Sequence, residues 1–438
     1  MSTCYLVLFA LLLPVTAAAQ DFEGRDKLFA HSQEFRQDVV EVTDGVHVAI
    51  GFALANAILI EGTDGLIIVD TTESVSAARA IKTRFDQIST KPVKAIIHTH
   101  SHPDHVGGTR VFAGDDQPEI YAHETQRREN LPARVGRGGR GGGNQFGGGL
   151  DPEDRPNAGI GPRLVLGGGD GYLPPTTTFA GDRYDLEVGG VRLELVYAPG
   201  ETDDQIYVWL PEKRVLLPGD NFYRAFPNLY AIRGVPLRRV DHWVESLASM
   251  VAKQPVHLVP SHTRPISGAE AVRDALTDYH DGVQSVLEQT IAGMNEGLRP
   301  DELVERVALP AHLADNPYLQ EFYGTIPWSV RAIYTFYLGW FDGNATTLFP
   351  LSNAERARRI VGLAGGEAAT LDAARTALDG GDVQWAAELA DYLLAGDPDH
   401  QEARRLKARA LTALGERQIS ANARNYYLTT ARSLLTDP

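Results

Sequence analysis

The chain contains 438 residues, of which 43% are hydrophobic and 22% are charged, and its formal net charge is −16. That length allows two or three domains, each large enough to bury its own core. The acidic balance argues against non-specific binding to nucleic acid or to anionic membrane surfaces. The composition therefore predicts a globular protein of ordinary polarity.

The N-terminal stretch CYLVLFALLLPVTAAAQDF, which starts at Cys4, is apolar but too short to span a bilayer. It ends in three alanines before Gln20, which is typical of a cleavage site. We therefore expect residues 1–19 to be a signal peptide and the protein to be periplasmic or secreted; the alternative is a retained anchor. Cys4 is the only cysteine, so any metal site of the mature chain must use nitrogen and oxygen ligands.

Apolar segments from residue 39 to residue 71 predict two hairpins, VVEVTDGVHVAI and ANAILIEGTDGLIIVDT, each turning at Asp-Gly. SAARAIKTRFDQIST has helical spacing, and VKAIIHTH and EIYAH are predicted strands. Residues 136–149, GRGGRGGGNQFGGG, predict a flexible loop, which we place over the mouth of a functional site. An RGG-type RNA-binding segment is the alternative for this stretch.

Further along, VRLELVYAPGE, DQIYVWLPEKRVLLPGDN and PVHLVPSHT predict strands, the last of them ending at His262, and VDHWVESLASMVAKQ predicts a helix. Strands that alternate with helices indicate an α/β sandwich. From residue 268 onward the chain is mostly helical. Segments 368–378, 383–395 and 401–414 resemble tetratricopeptide-type helix pairs without forming a clean array, and we expect them to serve packing or dimerisation.

The stretch HTHSHPDHVGG, which starts at His98, concentrates four of the 13 histidines of the chain behind a predicted buried strand. From such a loop His100 and His102 can reach one metal ion, and Asp104 and His105 can reach another. Three histidines and an aspartate at these offsets should arise by chance in roughly one such chain per thousand. Imidazole and carboxylate ligands suit Zn²⁺. His98 lies one alternation earlier on the strand, so we expect it to be structural rather than a ligand.

Three further polar residues follow apolar strands: Glu201 in APGETDDQ, Asp220 in LLPGDN and His262 in LVPSHTRP. Side chains at such loop starts converge on one edge of a sheet. Each residue alone is typical of a turn, but the set in this order predicts partners for the two metal-binding clusters. Asp70, in IIVDT, is a candidate hydrogen-bond partner of a ligand histidine.

The order HTHSHPDH, PGE, PGDN and PSH is similar to that of the metallo-β-lactamase superfamily, a four-layer αββα fold with a dinuclear metal edge. The superfamily usually has histidine where this chain has Glu201. That glutamate, with FPNLYAIRG, HLADNPYLQEFYGTIPWSVRAIY and YLGWFDGNATTLFPL, resembles the alkylsulfatase (type III sulfatase) family over about residues 35 to 435. Many members add a C-terminal sterol-carrier-like domain, which we expect this chain, ending at Pro438, to lack.

The resemblance implies an α/β metallo-β-lactamase-fold catalytic domain over residues 20–267. It implies an all-α, tetratricopeptide-like dimerisation domain over residues 268–438. It also implies two zinc ions per chain, the first held by His100, His102 and Glu201 and the second by Asp104, His105 and His262. Asp220 would bridge the two ions, where the larger alkylsulfatases tend to carry glutamate.

Further roles follow from the same resemblance. Asn228 and Arg233 would bind the sulfate group, and a guanidinium presents the bidentate donors that oxyanions favour. His312 and Tyr323 would reach the site from the helical region as catalytic groups, with His312 as the proton donor. Asp104 is counted with them as a catalytic residue because of its place at the metal centre.

Together these roles imply a dinuclear zinc hydrolase that cleaves sulfate esters, most simply alkyl sulfates, to alcohol and inorganic sulfate. Two zinc ions would lower the pKa of a water between them toward neutrality. Two alternatives stay open: a hydrolase of a lactone, β-lactam, thioester or phosphoester with the same metal site, and a non-catalytic helical interaction protein. We expect a small-molecule ester and a second copy of the chain as partners, without nucleic acid or stable membrane insertion.

Overall fold

The computed structural model describes residues 22–126 and 142–436. The expected signal peptide and residues 136–141 of the glycine-rich stretch therefore lie outside the described residues. Within the two described ranges, a helix with the length and hydropathy of a transmembrane span does not occur.

The strands are bounded as follows: β1 Asp38–Thr43, β2 Val46–Ile50, β3 Ala57–Glu61, β4 Leu66–Val69, β5 Val93–Ile97, β6 Glu119–His123, β7 Thr177–Phe179, β8 Arg183–Val188, β9 Val191–Tyr197, β10 Ile206–Leu210, β11 Val215–Leu217, β12 His257–Leu258 and β13 Ile266–Ser267. The helices are α1 Glu23–His31, α2 Val75–Phe85, α3 Pro103–Val106, α4 Thr109–Ala113, α5 Gly142–Gln145, α6 Val240–Ala252, α7 Ala269–Asn295, α8 Pro300–Arg306, α9 Ile326–Leu338, α10 Asn353–Leu363, α11 Glu367–Asp379, α12 Val383–Gly396, α13 Gln401–Glu416 and α14 Ala421–Thr436.

The strands form two mixed sheets. The first has seven strands in the order β1-β2-β3-β4-β5-β6-β7, and the second has six in the order β13-β12-β11-β10-β9-β8. Strands β1 to β4 pair antiparallel, whereas β4, β5, β6 and β7 pair parallel. Because parallel strands end at the same edge, the loops that follow β4 and β5 lie side by side there.

The two sheets pack face to face, with helices on both outer faces. Ile60 and Val69 of the first sheet share one buried cluster with Leu195 and Val208 of the second. The outer face of the first sheet packs against α2 and α4, through side chains such as Ile81. The outer face of the second sheet packs against α6 and the helices that follow it. These are the four αββα layers that the resemblance implied.

Helix α7 belongs by its packing to the outer layer of the second sheet. Its Val272, Leu276 and Tyr279 lie in one buried cluster with Trp209 of β10 and Trp243 of α6. The domain boundary that we predicted after residue 267 therefore places this helix in a different domain from the sheet on which it packs. The break in packing comes later in the chain, because helices α11 to α14 have an apolar core of their own.

The C-terminal helices form a bundle whose last helix packs against the unit that contains the two sheets. Helices α11, α12, α13 and α14 pack in sequence around small and branched side chains such as Leu371, Ala390 and Leu411. At the other end, Ala421 of α14 shares a second buried cluster with Leu54 and Tyr323. The last helix therefore contacts the layer of loops beside the first sheet.

The structure adds strands that the sequence pattern did not reveal and shortens one that it did. β8 has the sequence RYDLEV and is exposed at four of its six positions, so it lacks an alternating apolar pattern. The strand predicted to end at His262 is the two-residue β12, which pairs with β11 only at His257 and Leu258. The chain then leaves the sheet, and His262 lies in a loop.

We expect the substitution Ile60→Ala to reduce the free energy of unfolding by about 2–5 kcal/mol, because Ile60 is 0% exposed between the two sheets. Ile88→Ala removes the same atoms at a position that is 36% exposed, and we expect a change of about 0.5 kcal/mol. Urea denaturation at one protein concentration measures both values. Equal losses for the two variants would contradict the packing described.

Candidate metal centre and active site

The H-x-H-x-D-H motif is divided between a loop and the first turn of a short helix. β5 ends at Ile97, and the chain runs without regular structure to His102, where Pro103 opens α3. His100 and His102 therefore project from the loop, and Asp104 and His105 from the helix. Because the backbone changes direction there, the four side chains fall into two separate groups. His100 and His102 belong to one group and Asp104 and His105 to the other, as the sequence predicted.

Asp70 joins the loops that carry these residues. It is 0% exposed, follows β4 and has a φ of 59°, a left-handed conformation that aspartate tolerates better than most residues. Its carboxylate accepts hydrogen bonds from the Thr99 amide and hydroxyl at 2.9 Å, the Ser261 hydroxyl at 2.7 Å and His105 Nδ1 at 2.7 Å. Asp70 is thus the partner that fixes the ring of His105.

Asp104, His105 and His262 form one candidate metal-binding group. Oδ2 of Asp104 lies 3.7 Å from His105 Nε2 and 3.6 Å from His262 Nε2. The other ring nitrogen of His262 donates to the carbonyl of Leu54 at 2.9 Å, so its Nε2 is aimed into the group. Both Nε2 atoms are buried without a hydrogen-bond partner, which is the arrangement of ligands around a cation.

His100, His102 and Asp220 form the second candidate group. Nε2 of His100 lies 3.0 Å from Nδ1 of His102 and 3.7 Å from Oδ2 of Asp220. Burial lowers the pKa of His100 to about 3, so this imidazole is neutral at physiological pH. A neutral ring is the form that binds a metal ion.

Asp220 connects the two groups. Its Oδ2 faces His100, while its Oδ1 lies 3.3 Å from His105 Nε2 and 3.2 Å from His262 Nε2. Gly219 has a φ of 59°, and a Cβ there would meet the side chain of Gln205 at 1.9 Å. Glycine in the PGD motif therefore lets the chain turn so that one carboxylate faces both groups, the position expected of a bridging ligand.

Glu201 lies beside the first centre. Its Oε1 is 3.7 Å from His102 Nδ1, and both carboxylate oxygens bind the guanidinium of Arg238, at 2.6 Å and 2.7 Å. Burial raises the pKa of Glu201 to about 7, although Arg238 acts to lower it. The structure thus brings the predicted ligand to the site and pairs it with an arginine that the sequence analysis did not identify.

The electrostatics of the centre favour a bound cation. Burial would lower the pKa of His105, but the charges of Asp220, Asp70 and Asp104 outweigh it and raise that pKa well above its usual range. The pKa of His262 is also raised against burial, chiefly by Asp220. A site that stabilises positive charge on two buried rings, with unpaired nitrogens and carboxylate oxygens aimed at common points, fits metal ions.

A cavity of about 720 Å³ opens onto the metal centre. Among its lining residues are the polar side chains of His102, Asp104, Glu201, Asp220, Arg233 and Tyr323, with Glu73, Asp170, Tyr172 and Thr202. The same lining includes the apolar side chains of Leu54, Val106, Phe146, Ile160, Leu164 and Leu166. Phe146 belongs to the described part of the glycine-rich stretch, which therefore borders the cavity. The cavity suits a ligand with one anionic end and one apolar end.

Arg233 and Tyr323 both line this cavity. One terminal nitrogen of Arg233 is buried without a hydrogen-bond partner, and Glu201 and Tyr323 raise its pKa although burial lowers it. Burial raises the pKa of Tyr323 to about 12, so its hydroxyl remains a hydrogen-bond donor at neutral pH. Asn228 is 0% exposed beside them, and both polar atoms of its amide lack hydrogen-bond partners among the described residues.

The structure places His312 outside the cavity of its own protomer, and its expected role as a proton donor stays a prediction. This histidine is exposed in the turn that follows α8, and it does not occur among the described residues that line the cavity. A proton donor must come within hydrogen-bond reach of the reacting atoms. The sequence placed His312 at the site by resemblance alone, and within one protomer its position leaves it without contact with the metal centre.

His98 has a structural position, as expected. Its ring is 0% exposed, with Nε2 2.9 Å from the hydroxyl of Thr109 and Nδ1 3.4 Å from the side chain of Gln126. Burial lowers its pKa to about 4. The ring faces the first turn of α4 rather than the metal centre.

Two residues at the site escaped the sequence analysis. Arg238 lies four residues after Gly234. Its neighbour Arg239 pairs with Asp241 at the surface. Nothing in the local pattern separates the buried arginine from its partly exposed neighbour. Gln145, in the glycine-rich stretch, is 0% exposed and accepts a hydrogen bond from the amide of Arg233. Its burial depends on contacts with distant segments.

Comparison with known proteins agrees with this fold. A family model described as metallo-beta-lactamase superfamily matches residues 50–285, and one described as alkyl sulfatase dimerisation matches residues 299–437. A linear primary-alkylsulfatase of Pseudomonas sp. (strain ATCC 19151) is 42% identical over 86% of this chain and 73% of its own. An (R)-specific secondary-alkylsulfatase of Pseudomonas sp. is 30% identical over 90% of this chain and 62% of its own.

The solved structure of a stereoselective inverting sec-alkylsulfatase from Pseudomonas sp. matches with a TM-score of 0.88 and 28% identity, covering 94% of this chain and 68% of that one. The αββα layers and the metal-binding groups at the sheet edge define a hydrolase of the metallo-β-lactamase fold. Within that class, the chain belongs to the alkylsulfatase family.

We expect Asp70→Asn to weaken metal affinity about 10- to 100-fold, because an amide cannot accept all the hydrogen bonds that orient His105 and the loop at Thr99. Asparagine also tolerates the left-handed backbone, which limits the loss of stability. Asp86→Asn, which removes a surface ion pair with Lys82, is the matched control. Competition with a chromophoric chelator measures both affinities, and an unchanged affinity for Asp70→Asn would contradict its role.

Proposed function

We propose that this protein hydrolyses linear primary alkyl sulfates to alcohol and inorganic sulfate, with two zinc ions in the site formed by the two ligand groups. The observation that carries this proposal is the cavity whose lining includes members of both groups, Arg233 and apolar side chains. The 42% identity to a linear primary-alkylsulfatase supports a primary ester over a secondary one.

The residues that line the cavity support one orientation of such a substrate. Arg233 and Tyr323 line the cavity and offer hydrogen-bond donors for the sulfate oxygens, whereas Asn228 is not among the described lining residues. The apolar chain would lie along Leu164 and Leu166, where burial of each methylene contributes about 0.8 kcal/mol. An amphiphilic ester thus has an arrangement in which its sulfate meets polar lining residues and its chain meets apolar ones.

Bound zinc ions would supply Lewis acidity and lower the pKa of a water toward neutrality. His100, His102, Glu201 and Asp220 would hold one ion, and Asp104, His105, His262 and Asp220 the other. Tyr323 keeps its proton at Oη and donates a hydrogen bond within the cavity. Arg233 retains its positive charge and stabilises negative charge that develops on the sulfate during cleavage.

We also propose that the protein forms a homodimer through the region matched by the alkyl sulfatase dimerisation model. Large apolar side chains are exposed there: Trp340 is 73% exposed, Phe349 95% and Leu363 89%. Large apolar side chains that are this exposed support a protein–protein interface in this region. A second copy of the chain that covers these residues would remove that area from water.

A periplasmic or extracellular location is proposed on the sequence of residues 1–19 alone, whose apolar run and terminal alanines are typical of a signal peptide. Cleavage after Ala19 during export would remove the only cysteine. The seven proposed ligands are all nitrogen or oxygen donors, so the metal centre does not depend on a reduced thiol.

We expect release of inorganic sulfate from dodecyl sulfate by the zinc-loaded protein, with two zinc ions per chain by elemental analysis. His100→Ala removes a ligand from one group, and we expect it to lose both metal and activity. His280→Ala, a change at a surface ion pair on α7, is the matched control that retains both. Ion chromatography of sulfate measures the rate.

A lactam and a phosphodiester tested beside dodecyl sulfate separate the proposed substrate from the alternatives. Sulfate release no faster than in buffer, with turnover of either other ester or lactam, would overturn the substrate but leave the metal site. Less than one zinc per chain, with no turnover of any substrate, would support the non-catalytic alternative.

We expect the double variant Trp340→Ser, Phe349→Ser to be monomeric where the wild-type protein is dimeric, because it removes two of the most exposed aromatic rings. Size-exclusion chromatography with light scattering gives the mass of each form. Tyr184→Ser, an exposed aromatic residue on β8 outside this region, is the control. A double variant that remains dimeric would place the interface elsewhere.

A further inference from the structure

The backbone of Tyr323 is held by the N-terminus of the last helix of the chain. The carbonyl of Tyr323 accepts hydrogen bonds from the hydroxyl of Ser420 at 3.2 Å and from the side-chain amide of Asn422 at 3.1 Å. The amide of Ala421 donates to the carbonyl of Phe322 at 2.9 Å. Three bonds from α14 and its N-cap residue therefore fix two consecutive peptide groups beside the cavity.

Arg233 is connected to the same helix through one intermediate residue. Its backbone amide donates to Oε1 of Gln145 at 3.1 Å. The backbone carbonyl of Gln145 in turn accepts from the side-chain amide of Asn425 at 3.1 Å. Gln145 is 0% exposed and Asn425 is 2% exposed, so water does not compete for either bond.

The segments that carry the two anion-binding groups depend on such bonds for their position. Residues 222–239, which include Arg233, contain neither helix nor strand. The same holds for residues 316–325, which include Tyr323. A segment without its own ladder of hydrogen bonds is placed by the contacts that it makes with other elements. For Tyr323 those contacts come from residues 97 and 99 positions away in sequence, at the start of α14. For Arg233 the contact comes from Gln145, which is bonded to Asn425, 280 positions away from it.

The start of α14 is unusual for a helix of an apolar bundle. Its residues 421–425, ANARN, are all buried, and three of the five side chains are polar. Burying an amide costs free energy unless it forms hydrogen bonds. The bonds that Asn422 and Asn425 form go to residues 323 and 145, not to their own bundle. A helix that served only packing or dimerisation would place apolar residues at these positions.

We propose that α14 positions the anion-binding groups of the catalytic cavity, with Asn422 acting on Tyr323 directly and Asn425 acting on Arg233 through Gln145. This inference rests on the proposed function, because it assumes that Arg233 and Tyr323 bind the sulfate. Both asparagines are positioning residues, since neither touches the cavity. The C-terminal helical unit is then part of the catalytic site as well as the region of the dimerisation model.

The test replaces each asparagine by leucine, which has a similar size and donates no hydrogen bond. In the zinc-loaded full-length protein, we expect Asn422→Leu and Asn425→Leu to raise the inhibition constant of inorganic sulfate and the KM for dodecyl sulfate about 10- to 100-fold. Zinc content and dimer mass should equal those of the wild type. The milder Asn422→Ser and Asn425→Ser replace either leucine variant that does not fold.

Leu428→Ala is the matched control within α14. Leu428 packs against Gly415 of α13, so its loss loosens the same helix without removing either hydrogen bond. We expect this variant to lower the Tm while its inhibition constant for sulfate stays within about twofold of the wild type. Wild-type sulfate inhibition in the asparagine variants, or an equal weakening by Leu428→Ala, would overturn the inference.

Arg233→Ala, measured in the same assays, separates this inference from the function on which it rests. Loss of sulfate inhibition in Arg233→Ala, with wild-type inhibition in the asparagine variants, would remove only the role of α14. Unchanged sulfate inhibition in Arg233→Ala would show that the anion site itself is wrongly assigned. That outcome would overturn the proposed sulfate-binding role of Arg233, and this inference with it, whereas the hydrolysis itself is tested by release of sulfate from dodecyl sulfate.

Discussion

The structure depends on a concentration of buried negative charge at the edge shared by the two sheets. Asp70, Asp104 and Asp220 stand within reach of the rings of His105 and His262, and all but Asp104 are buried. Carboxylates are rarely buried unless they are paired or bind metal. Here each buried oxygen faces an imidazole, a hydroxyl or a backbone amide, and the field raises the pKa of both rings. Bound metal ions would neutralise the same carboxylates, which gives a physical reason for so many buried polar residues at one place.

Asp70 shows how the fold converts this charge into geometry. One carboxylate binds the loop after β5, the helix that carries His105 and the loop that carries His262. These three segments come from both sheets, so their relative position is set by the packing of Ile60, Val69, Leu195 and their neighbours. The core between the sheets and the metal centre therefore depend on each other. Packing in the core sets how far apart the three segments lie, and the hydrogen bonds of Asp70 hold the loops that do not pack in the core.

The residues proposed to bind the anion are positioned differently from the metal-binding groups. Arg233 and Tyr323 lie on irregular segments, and Arg238 binds Glu201 from the same stretch of chain. The backbone of Arg233 donates to Gln145, which is bonded to Asn425, and the carbonyl of Tyr323 accepts from Ser420 and Asn422. The metal centre is thus organised by sheet edges, whereas the substrate end is organised by contacts between the catalytic unit and the C-terminal helices. The two parts of one site can then vary independently, with the same metal chemistry and a different anion pocket.

The sequence by itself predicted the order of the layers and the candidate metal-binding residues, which the structure brings together at one site. Local spacing was sufficient for His100, His102, Asp104 and His105, because all four follow one strand, and strand ends with polar residues marked Glu201, Asp220 and His262. Only the tertiary structure decided which other residues contact these side chains. His312 lies in a segment that resembles a family motif, but its side chain is exposed. The sequence did not distinguish Arg238 from its neighbour Arg239, which pairs with Asp241 at the surface. Helix α7 was predicted to belong to the helical region, although it packs on a sheet. The physical reason is that a side chain's role beyond its own loop depends on long-range packing, which leaves no periodic signal in the sequence.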